Sequence, residues 1–161
     1  MKERNLSWNK TVSLISKIAK LTKENKKNYD WIISLNRGGL LIGMRLSHLL
    51  GTRHGVLSVE SYSGKKKKKM KCDTGISMVG DFKKRSSVLL VDDIADSGES
   101  LVFAMEKIKD FAPQIYTIDS AAICYKPKSI ILPTYIGEKI ENDVWINFPW
   151  ELKTLKETNA K

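Results

Sequence analysis

The stretch that decides the fold is Ser87-Val-Leu-Leu-Val-Asp-Asp-Ile-Ala-Asp-Ser-Gly-Glu-Ser100. Its first part, Ser87–Val91, is too apolar to have a wet face, which is typical of a strand covered on both sides in a parallel sheet. Two adjacent carboxylates follow this strand, and a turn with a glycine and two hydroxyls comes next. The spacing of Ser100–Phe111 then predicts a helix. The stretch therefore predicts a strand, a turn and a helix in succession.

The segments on either side continue this alternation. Helices are predicted at Ser7 to about Lys23, with Ser7 as the cap, and at Leu40–Leu50, closed by Gly51. Further strands are predicted at Asp30–Leu35, Val56–Tyr62 and Ile115–Tyr125, with short β pieces around Tyr135 and Trp145. Strand, helix, strand connections of this kind are right-handed and build parallel sheets. We expect an α/β fold with a central, mainly parallel sheet flanked by helices.

Ligands of such sheets bind beyond the carboxyl ends of the strands, which points to two turns, Asn36–Gly39 and Asp92–Ser100. In the second turn, free backbone N–H groups at the helix start favour an anion. Asp92 and Asp93 suit ribose hydroxyls or Mg²⁺. One phosphorylated sugar would satisfy both groups, with its phosphate at the helix start and its ribose hydroxyls on the acid pair. The alternative is that the two acids are exposed charges at a strand end, followed by an ordinary turn.

Length and composition set further bounds. The chain has 161 residues, of which 42% are apolar, and this suits one domain with a real core. No apolar run approaches the ~18 residues that a membrane helix needs. The first residues do not resemble a secretory signal. The two cysteines lack metal-ligand spacing, so we expect a reducing, cytoplasmic location.

The positive charge is concentrated in one place. The net charge is +10, and six lysines lie within Lys65–Lys71; without them the excess is +4. A nucleic-acid-binding face would spread its charge over more of the chain, so nucleic acid is an unlikely partner by this criterion. Contact of this lysine run with nucleic acid stays open as an alternative role.

Four motifs together resemble one family. The strand, the acid pair and the loop Asp96-Ser-Gly-Glu-Ser100 resemble the phosphoribosyl pyrophosphate (PRPP) signature of type I phosphoribosyltransferases, and no G-x-x-x-x-G-K-[ST] P-loop occurs. Asn36-Arg-Gly-Gly-Leu40 resembles the pyrophosphate loop of the small xanthine–guanine and hypoxanthine members. Tyr125-Lys-Pro127 resembles their purine contact. Asp143-Val-Trp-Ile-Asn-Phe-Pro-Trp-Glu151 is similar to their tail pattern W-[IV]-x-x-P-W-[DE].

The resemblance, which spans nearly the whole chain, implies an enzyme that transfers the phosphoribosyl group from PRPP to guanine, xanthine or hypoxanthine. The products are a nucleoside 5′-monophosphate and pyrophosphate. The implied PRPP-binding residues are Arg37, Gly38, Asp92, Asp93, Ala95, Asp96, Ser97, Gly98, Glu99 and Ser100. Among these, Asp93 is the implied main partner of Mg²⁺ and Asp92 the partner of the ribose hydroxyls.

The same resemblance implies how the base is held. Asp96 would be the general base, or at least the hydrogen-bond partner, at the purine N7. Lys126 would contact the purine O6, Trp145 would stack on the ring, and the backbone of Ile146 would read its edge. Lys126 and Trp145 argue against pyrimidines and do not select among purines.

The family also sets expectations for architecture. They are a single domain over residues 1–161, a small hood built from the N- and C-terminal segments, and a flexible loop at about 63–75. A non-proline cis peptide at Asn36–Arg37 and a homo-oligomer, dimer or tetramer, complete the list. The alternative function is a PRPP-sensing regulatory or nucleic-acid-binding protein on the same fold, supported by the positive charge.

Overall fold

The computed structural model of the chain describes residues 2–63, 68–72 and 75–151. These residues form three helices and nine strands. In chain order, the elements are β1 (Lys2–Asn5), α1 (Trp8–Glu24), β2 (Trp31–Asn36), α2 (Leu40–Leu50), β3 (Arg53–Ser63), β4 (Lys68–Cys72), β5 (Ser77–Met78), β6 (Ser87–Ala95), α3 (Glu99–Phe111), β7 (Thr117–Tyr125), β8 (Tyr135–Lys139) and β9 (Val144–Asn147).

The central sheet has the strand order β4-β3-β2-β6-β7-β8, and β5 pairs with β3 beside this path. Strands β3, β2, β6, β7 and β8 run parallel to one another, whereas β4 and β5 pair with β3 in the antiparallel sense. The expected α/β fold with a mainly parallel sheet is therefore confirmed. Strand β6 occupies the middle, between β2 and β7.

Burial on both faces explains why β6 has no polar alternation. Leu89 and Val91 pack into a core with α1 and α2, and Val88 and Leu90 pack into a second core with α3. All four side chains are fully buried. Because successive side chains of a strand point to opposite faces, an apolar run is what a two-sided core requires.

The helix boundaries follow local capping signals. The Ser7 side chain accepts a hydrogen bond from the Lys10 N–H at 3.1 Å, which caps α1 as predicted. Helix α2 covers the predicted Leu40–Leu50, and Gly51 closes it in the left-handed conformation at φ 64°.

The two ends of the described chain form a second, two-stranded sheet. Strand β1 pairs with β9 in parallel, which joins residues near both termini into the expected hood. Arg4 of β1 binds Glu138 of β8 through two hydrogen bonds of 2.8 and 3.2 Å, and Lys10 lies 3.2 Å from the same carboxylate. This cluster ties the hood to the central sheet.

Two expected boundaries around the acid pair are wrong. Strand β6 does not end at Val91 but continues to Ala95, because its ladder with β7 runs on through Asp92↔Ala122 and Ala95↔Tyr125. Polar side chains do not end a strand whose backbone still has a partner. Helix α3 begins at Glu99, one residue before the predicted start.

The lysine-rich segment differs from the expected loop. Strand β3 extends to Ser63, and Lys68–Cys72 forms β4, which pairs with Val59–Ser63. Part of the predicted loop is therefore a strand, and its residues 64–67 and 73–74 lie outside the described residues. Across the ranges that are described, no helix is both long and apolar enough to cross a bilayer.

Glu138→Gln tests the link between the hood and the sheet. The hydrogen bonds from Arg4 hold the pKa of Glu138 below its ordinary value of 4.5, and those from Lys10 add to the effect. A lowered folded-state pKa stabilises the protein above the ordinary pKa, and this contribution is lost as the pH falls through the folded value. We expect the variant to lower the free energy of unfolding by about 1 kcal/mol at pH 7.

Thermal unfolding at pH 7 and at pH 3.5 measures this effect, and the difference from the unmodified chain should shrink at the lower pH. The control is Glu141→Gln, since the Glu141 side chain is exposed and its ion pair with Lys2 is long, at 3.7 Å. A loss of stability that is equal at both pH values would contradict the assignment.

Candidate active site

The two turns predicted to bind a ligand meet at the carboxyl ends of β2 and β6. The peptide bond Asn36–Arg37 is cis, as the family resemblance implied. The backbone of Gly38 lies directly against the Asp93 carboxylate, and a Cβ at this position would overlap the carboxylate oxygens. Glycine at position 38 is therefore required by the close approach of the two segments. Arg37 next to it is exposed.

Asp92 and Asp93 form a carboxylate pair whose members are partly withdrawn from solvent. The Asp93 N–H donates a hydrogen bond of 2.9 Å to Asp92 Oδ1. Burial and the adjacent Asp93 charge raise the pKa of Asp92 well above its ordinary value. Burial raises the pKa of Asp93 to about 6, and the negative charge of Glu151 raises it as well. A hydrogen bond from the Ile94 backbone lowers this pKa but does not outweigh the other two effects. Keeping both carboxylates of the pair ionised at neutral pH therefore costs free energy.

The N-terminus of α3 opens beside this pair. Gly98, at φ 80°, is the N-cap and offers no side chain, while the Glu99 N–H donates a long hydrogen bond of 3.4 Å to Ser97 Oγ. A Cβ at Gly98 would overlap Ser129 Oγ and lie 2.8 Å from Ile131. A cavity of about 250 Å³ lies here, lined by Asp92, Asp93, Ile94, Asp96, Ser97, Gly98, Ser100 and Leu101. Acid pair and helix N-terminus thus share one cavity, as the sequence predicts. Ser97 and Glu99 are exposed.

On the other side of the turn, Asp96 binds two lysines. Lys126 Nζ lies 3.2 Å from Asp96 Oδ1, and Lys128 Nζ lies 2.7 Å from the same oxygen. The Lys126 side chain is only 2% exposed, whereas that of Asp96 is 38% exposed. Partial burial would raise the pKa of Asp96, but the adjacent ammonium groups of Lys128 and Lys126 outweigh it and lower this pKa below its ordinary value. Asp96 is therefore ionised at neutral pH.

Backbone hydrogen bonds hold the lysine segment against the turn. The Lys126 N–H donates to the Ala95 carbonyl at 3.0 Å, and the Ile130 N–H donates to the Ser97 carbonyl at 2.9 Å. The first bond follows from the pairing of β6 with β7, which ends at Ala95↔Tyr125. The sheet register therefore places Lys126 beside Asp96.

Trp145 and Ile146 lie in the hood strand β9. Trp145 is 47% exposed, whereas Ile146 is buried in the core with α1 and α2. Asn142 connects this region to the lysines, because its Oδ1 accepts a hydrogen bond of 3.1 Å from the Lys128 N–H. Trp150 is stacked on Phe148 at 4.9 Å, which fits a packing role.

The family model described as "Phosphoribosyl transferase domain" matches residues 6–157. The chain belongs to the type I phosphoribosyltransferase family. It is 29% identical over 139 residues to a xanthine-guanine phosphoribosyltransferase of Cereibacter sphaeroides, covering 83% of this chain and 77% of that protein. A purine phosphoribosyltransferase structure from Pyrococcus horikoshii is 32% identical, with a TM-score of 0.81 and coverage of 96% and 98%. A Helicobacter pylori xanthine-guanine-hypoxanthine phosphoribosyltransferase, 21% identical, shares the fold at a TM-score of 0.80 over 99% of both chains.

As a phosphoribosyltransferase, the protein is an enzyme of the pentosyltransferase class. Two charged residues of its site were not predicted from the sequence. The sequence around Lys128 does not distinguish it from a solvated lysine, and only the fold shows that both lysines reach one oxygen. Glu151 belongs to the tail pattern, which gives it no role, and only the fold brings its charge close enough to raise the pKa of Asp93.

The donor set of this phosphoribosyltransferase fits a magnesium ion held by few protein ligands. The carboxylates of Asp92 and Asp93 supply hard oxygen donors beside a cavity. Within the described ranges, no group of three or more His, Cys, Asp or Glu side chains comes together. A binding site of this kind suits Mg²⁺, which keeps several waters and is shared with ligand oxygens.

Asp93→Asn tests whether the acid pair stores negative charge at the expense of stability. A folded-state pKa raised above the ordinary 3.8 means that folding disfavours the ionised carboxylate at neutral pH. We expect the variant, in EDTA at pH 7.5, to unfold about 2–4 °C above the unmodified chain, which corresponds to roughly 1 kcal/mol. Scanning calorimetry measures the shift. Asp143→Asn, an exposed acid in the hood, is the control; a lower melting temperature for Asp93→Asn would refute this view of the pair.

Proposed function

We propose that this phosphoribosyltransferase transfers the 5-phosphoribosyl group from PRPP to a 6-oxopurine: guanine, xanthine or hypoxanthine. The products are the nucleoside 5′-monophosphate and pyrophosphate. The observation that carries the proposal is the buried Lys126 in an ion pair with Asp96 at the edge of the cavity. An ammonium donor beside an ionised carboxylate complements the O6 acceptor and the N7 proton of such a base. The names of the relatives support the same base class.

PRPP would bind across the turns that meet at β6. The backbone N–H groups from Ala95 to Ser100, with the N-terminus of α3, would hold the 5′-phosphate, with the hydroxyls of Ser97 and Ser100 and the N–H of Glu99 among the donors. Asp92 would bind the ribose hydroxyls. Arg37 and the backbone of Gly38 would bind the pyrophosphate, since Gly38 brings this loop against Asp93.

Asp93 would hold Mg²⁺, which when bound neutralises the charge of the pyrophosphate leaving group. The cost of keeping Asp92 and Asp93 ionised side by side would be offset by a cation and by ribose hydroxyl donors. The phosphoribosyltransferase family generally uses this metal, which supports the assignment.

The transfer breaks the bond between ribose C1′ and the pyrophosphate oxygen and forms one between C1′ and a purine nitrogen. Positive charge develops on the ribose as negative charge builds on the leaving group, so the protein must stabilise both and exclude water. Asp96, ionised before the base arrives, would accept the proton at N7. Lys126 would donate to O6 and so hold the base in place.

The hood would complete the base site. The half-exposed Trp145 ring offers a flat apolar surface for stacking, and the backbone of Ile146 would read the purine edge. Asn142 links this region to the lysines. We also propose that residues 1–161 form one catalytic domain, because the hood joins segments near both ends of the described chain.

Oligomeric state and location stay predictions. A dimer or tetramer is expected from the family, and the exposed apolar side chains Leu40, Leu41 and Met44 of α2 are compatible with self-association. Light scattering measures the assembly. A cytoplasmic location is expected from the cysteine content.

The direct test is pyrophosphate release from PRPP with Mg²⁺ and a panel of free bases, read together with nucleotide formation. We expect release that requires guanine, xanthine or hypoxanthine, is absent with uracil, and is abolished by EDTA. PRPP binding without base-dependent release would instead favour the PRPP-sensing regulator. Neither binding nor release would refute the proposed sugar-phosphate site.

Asp96→Asn separates the role at the base from PRPP binding. Because the amide cannot accept the proton, we expect kcat to fall by about 100-fold or more, while the KM for PRPP changes by less than about threefold. Steady-state kinetics with saturating base measures both values, and Asp81→Asn, an exposed acid outside the cavity, is the control. An equal loss of turnover and PRPP affinity would remove the assignment.

A further inference from the structure

Lys128 contacts the carboxylate that the proposed chemistry depends on. Its Nζ is 2.7 Å from Asp96 Oδ1, closer than Lys126 at 3.2 Å, and its side chain is 47% exposed. One carboxylate oxygen thus receives two ammonium groups, one buried and one at the surface.

The local backbone fixes this arrangement from both sides. The Lys128 N–H donates to Asn142 Oδ1, and the Ser129 N–H donates to the Lys126 carbonyl at 3.0 Å. The Ile130 N–H is bound to the Ser97 carbonyl, which ties the same turn to the residue after Asp96. An isolated surface ion pair lacks such support and contributes little. Here the turn presents both lysines to a single oxygen.

The charges explain why a second lysine is needed. Lys126 is withdrawn from water, so its ammonium requires an anion, and Asp96 is that anion in the free protein. When Lys126 donates to the oxygen of a bound base, its attraction to Asp96 is divided between two acceptors. Lys128 has a side chain that is 47% exposed, and within the described ranges its ammonium pairs with Asp96 alone. It can therefore keep the carboxylate in place while Lys126 turns to the base.

We propose, on the basis of the function proposed above, that Lys128 is a positioning residue that holds the Asp96 carboxylate in place and charge-compensated when Lys126 engages the purine. Lys128 acts through Asp96, and its removal leaves the PRPP turn unchanged. Among the described residues, the charged groups around this carboxylate are Lys126 and Lys128 from the turn after β7, with Asp92 and Asp93 of β6 lining the same cavity as Asp96.

Lys128→Met is the primary test, with Lys128→Arg as the conservative variant and Lys84→Met, an exposed lysine elsewhere, as the control. We expect Lys128→Met to lower kcat about tenfold, with the KM for PRPP within about twofold. Lys128→Arg should recover most of the activity, because it restores the charge. The acidic limb of the pH–kcat profile should move to higher pH in Lys128→Met, since Asp96 loses a cation that lowers its pKa.

A double-mutant cycle shows whether Lys128 works through Asp96. In the Asp96→Asn background, Lys128→Met should have no further effect on kcat, because the group that it positions is gone. An equal loss in both backgrounds, unchanged kcat in Lys128→Met, or failure of Lys128→Arg to recover activity would each overturn the proposal.

A measurement without substrate distinguishes this proposal from the function on which it rests. Carboxyl-carbon NMR of the free protein, with the Asp96 signal assigned by its loss in Asp96→Asn, should show that Lys128→Met raises the Asp96 titration midpoint. If the unmodified chain shows no base-dependent pyrophosphate release, the proposed function fails. If release is normal while Lys128→Met changes neither kcat nor this midpoint, only the role of Lys128 fails.

Discussion

The position of β6 between β2 and β7 is the constraint on which the site depends. Strand β6 pairs in parallel with a neighbour on each side and packs against a core on each face, and its carboxyl end therefore lies at the middle of the sheet edge. The turn after β2 reaches it through Gly38, and the turn after β7 reaches it through Lys126. Three segments that are distant in the chain thus meet around Asp93 and Asp96. The arrangement follows the general rule that ligands of α/β sheets bind at the carboxyl edge.

The charged side chains of this site lower the stability of the protein in the absence of a ligand. Asp92 and Asp93 share a partly buried position, and Lys126 is withdrawn from water with Asp96 as its anion. Such groups are costly unless they are paired. A ligand that brings a cation, hydroxyl donors and an acceptor for Lys126 would satisfy all of them at once. The unfavourable burial of these charges is therefore what a PRPP and purine site would exploit in binding.

The hood connects the region of Lys126 and Lys128 to both ends of the described chain. Strand β1 carries Arg4, which binds Glu138, and β9 carries Trp145 near Asn142. Because Asn142 binds the backbone N–H of Lys128, a shift of the hood would move Lys128 and, through the Lys128–Asp96 ion pair, would also affect Asp96. Asp96 and the hood are in this way coupled through contacts between side chains and backbone.

The sequence by itself determined the α/β class, the central strand, the bounds of α2 and the members of the acid pair and of the turn Asp96–Ser100. Local sequence patterns predict these features: apolar runs, a serine cap, Gly51 and the Asp-Ser-Gly loop. It did not determine where β6 ends, since a strand continues as long as its neighbour offers backbone partners, and Asp92 looked like an end only by its polarity. It also did not show β1, whose four residues are all polar, or β4, in which three of the five residues are lysines.

Only the tertiary structure decided that Lys128 joins Lys126 on Asp96 and that Glu151 influences Asp93. The physical reason is that electrostatic interaction depends on distance in space and on burial, and neither is a property of neighbouring residues in the chain. A lysine two positions beyond Lys126 has the same local sequence whether it points to solvent or to a carboxylate. The pairing of β6 with β7 and the turn held by Asn142 decide between these two cases.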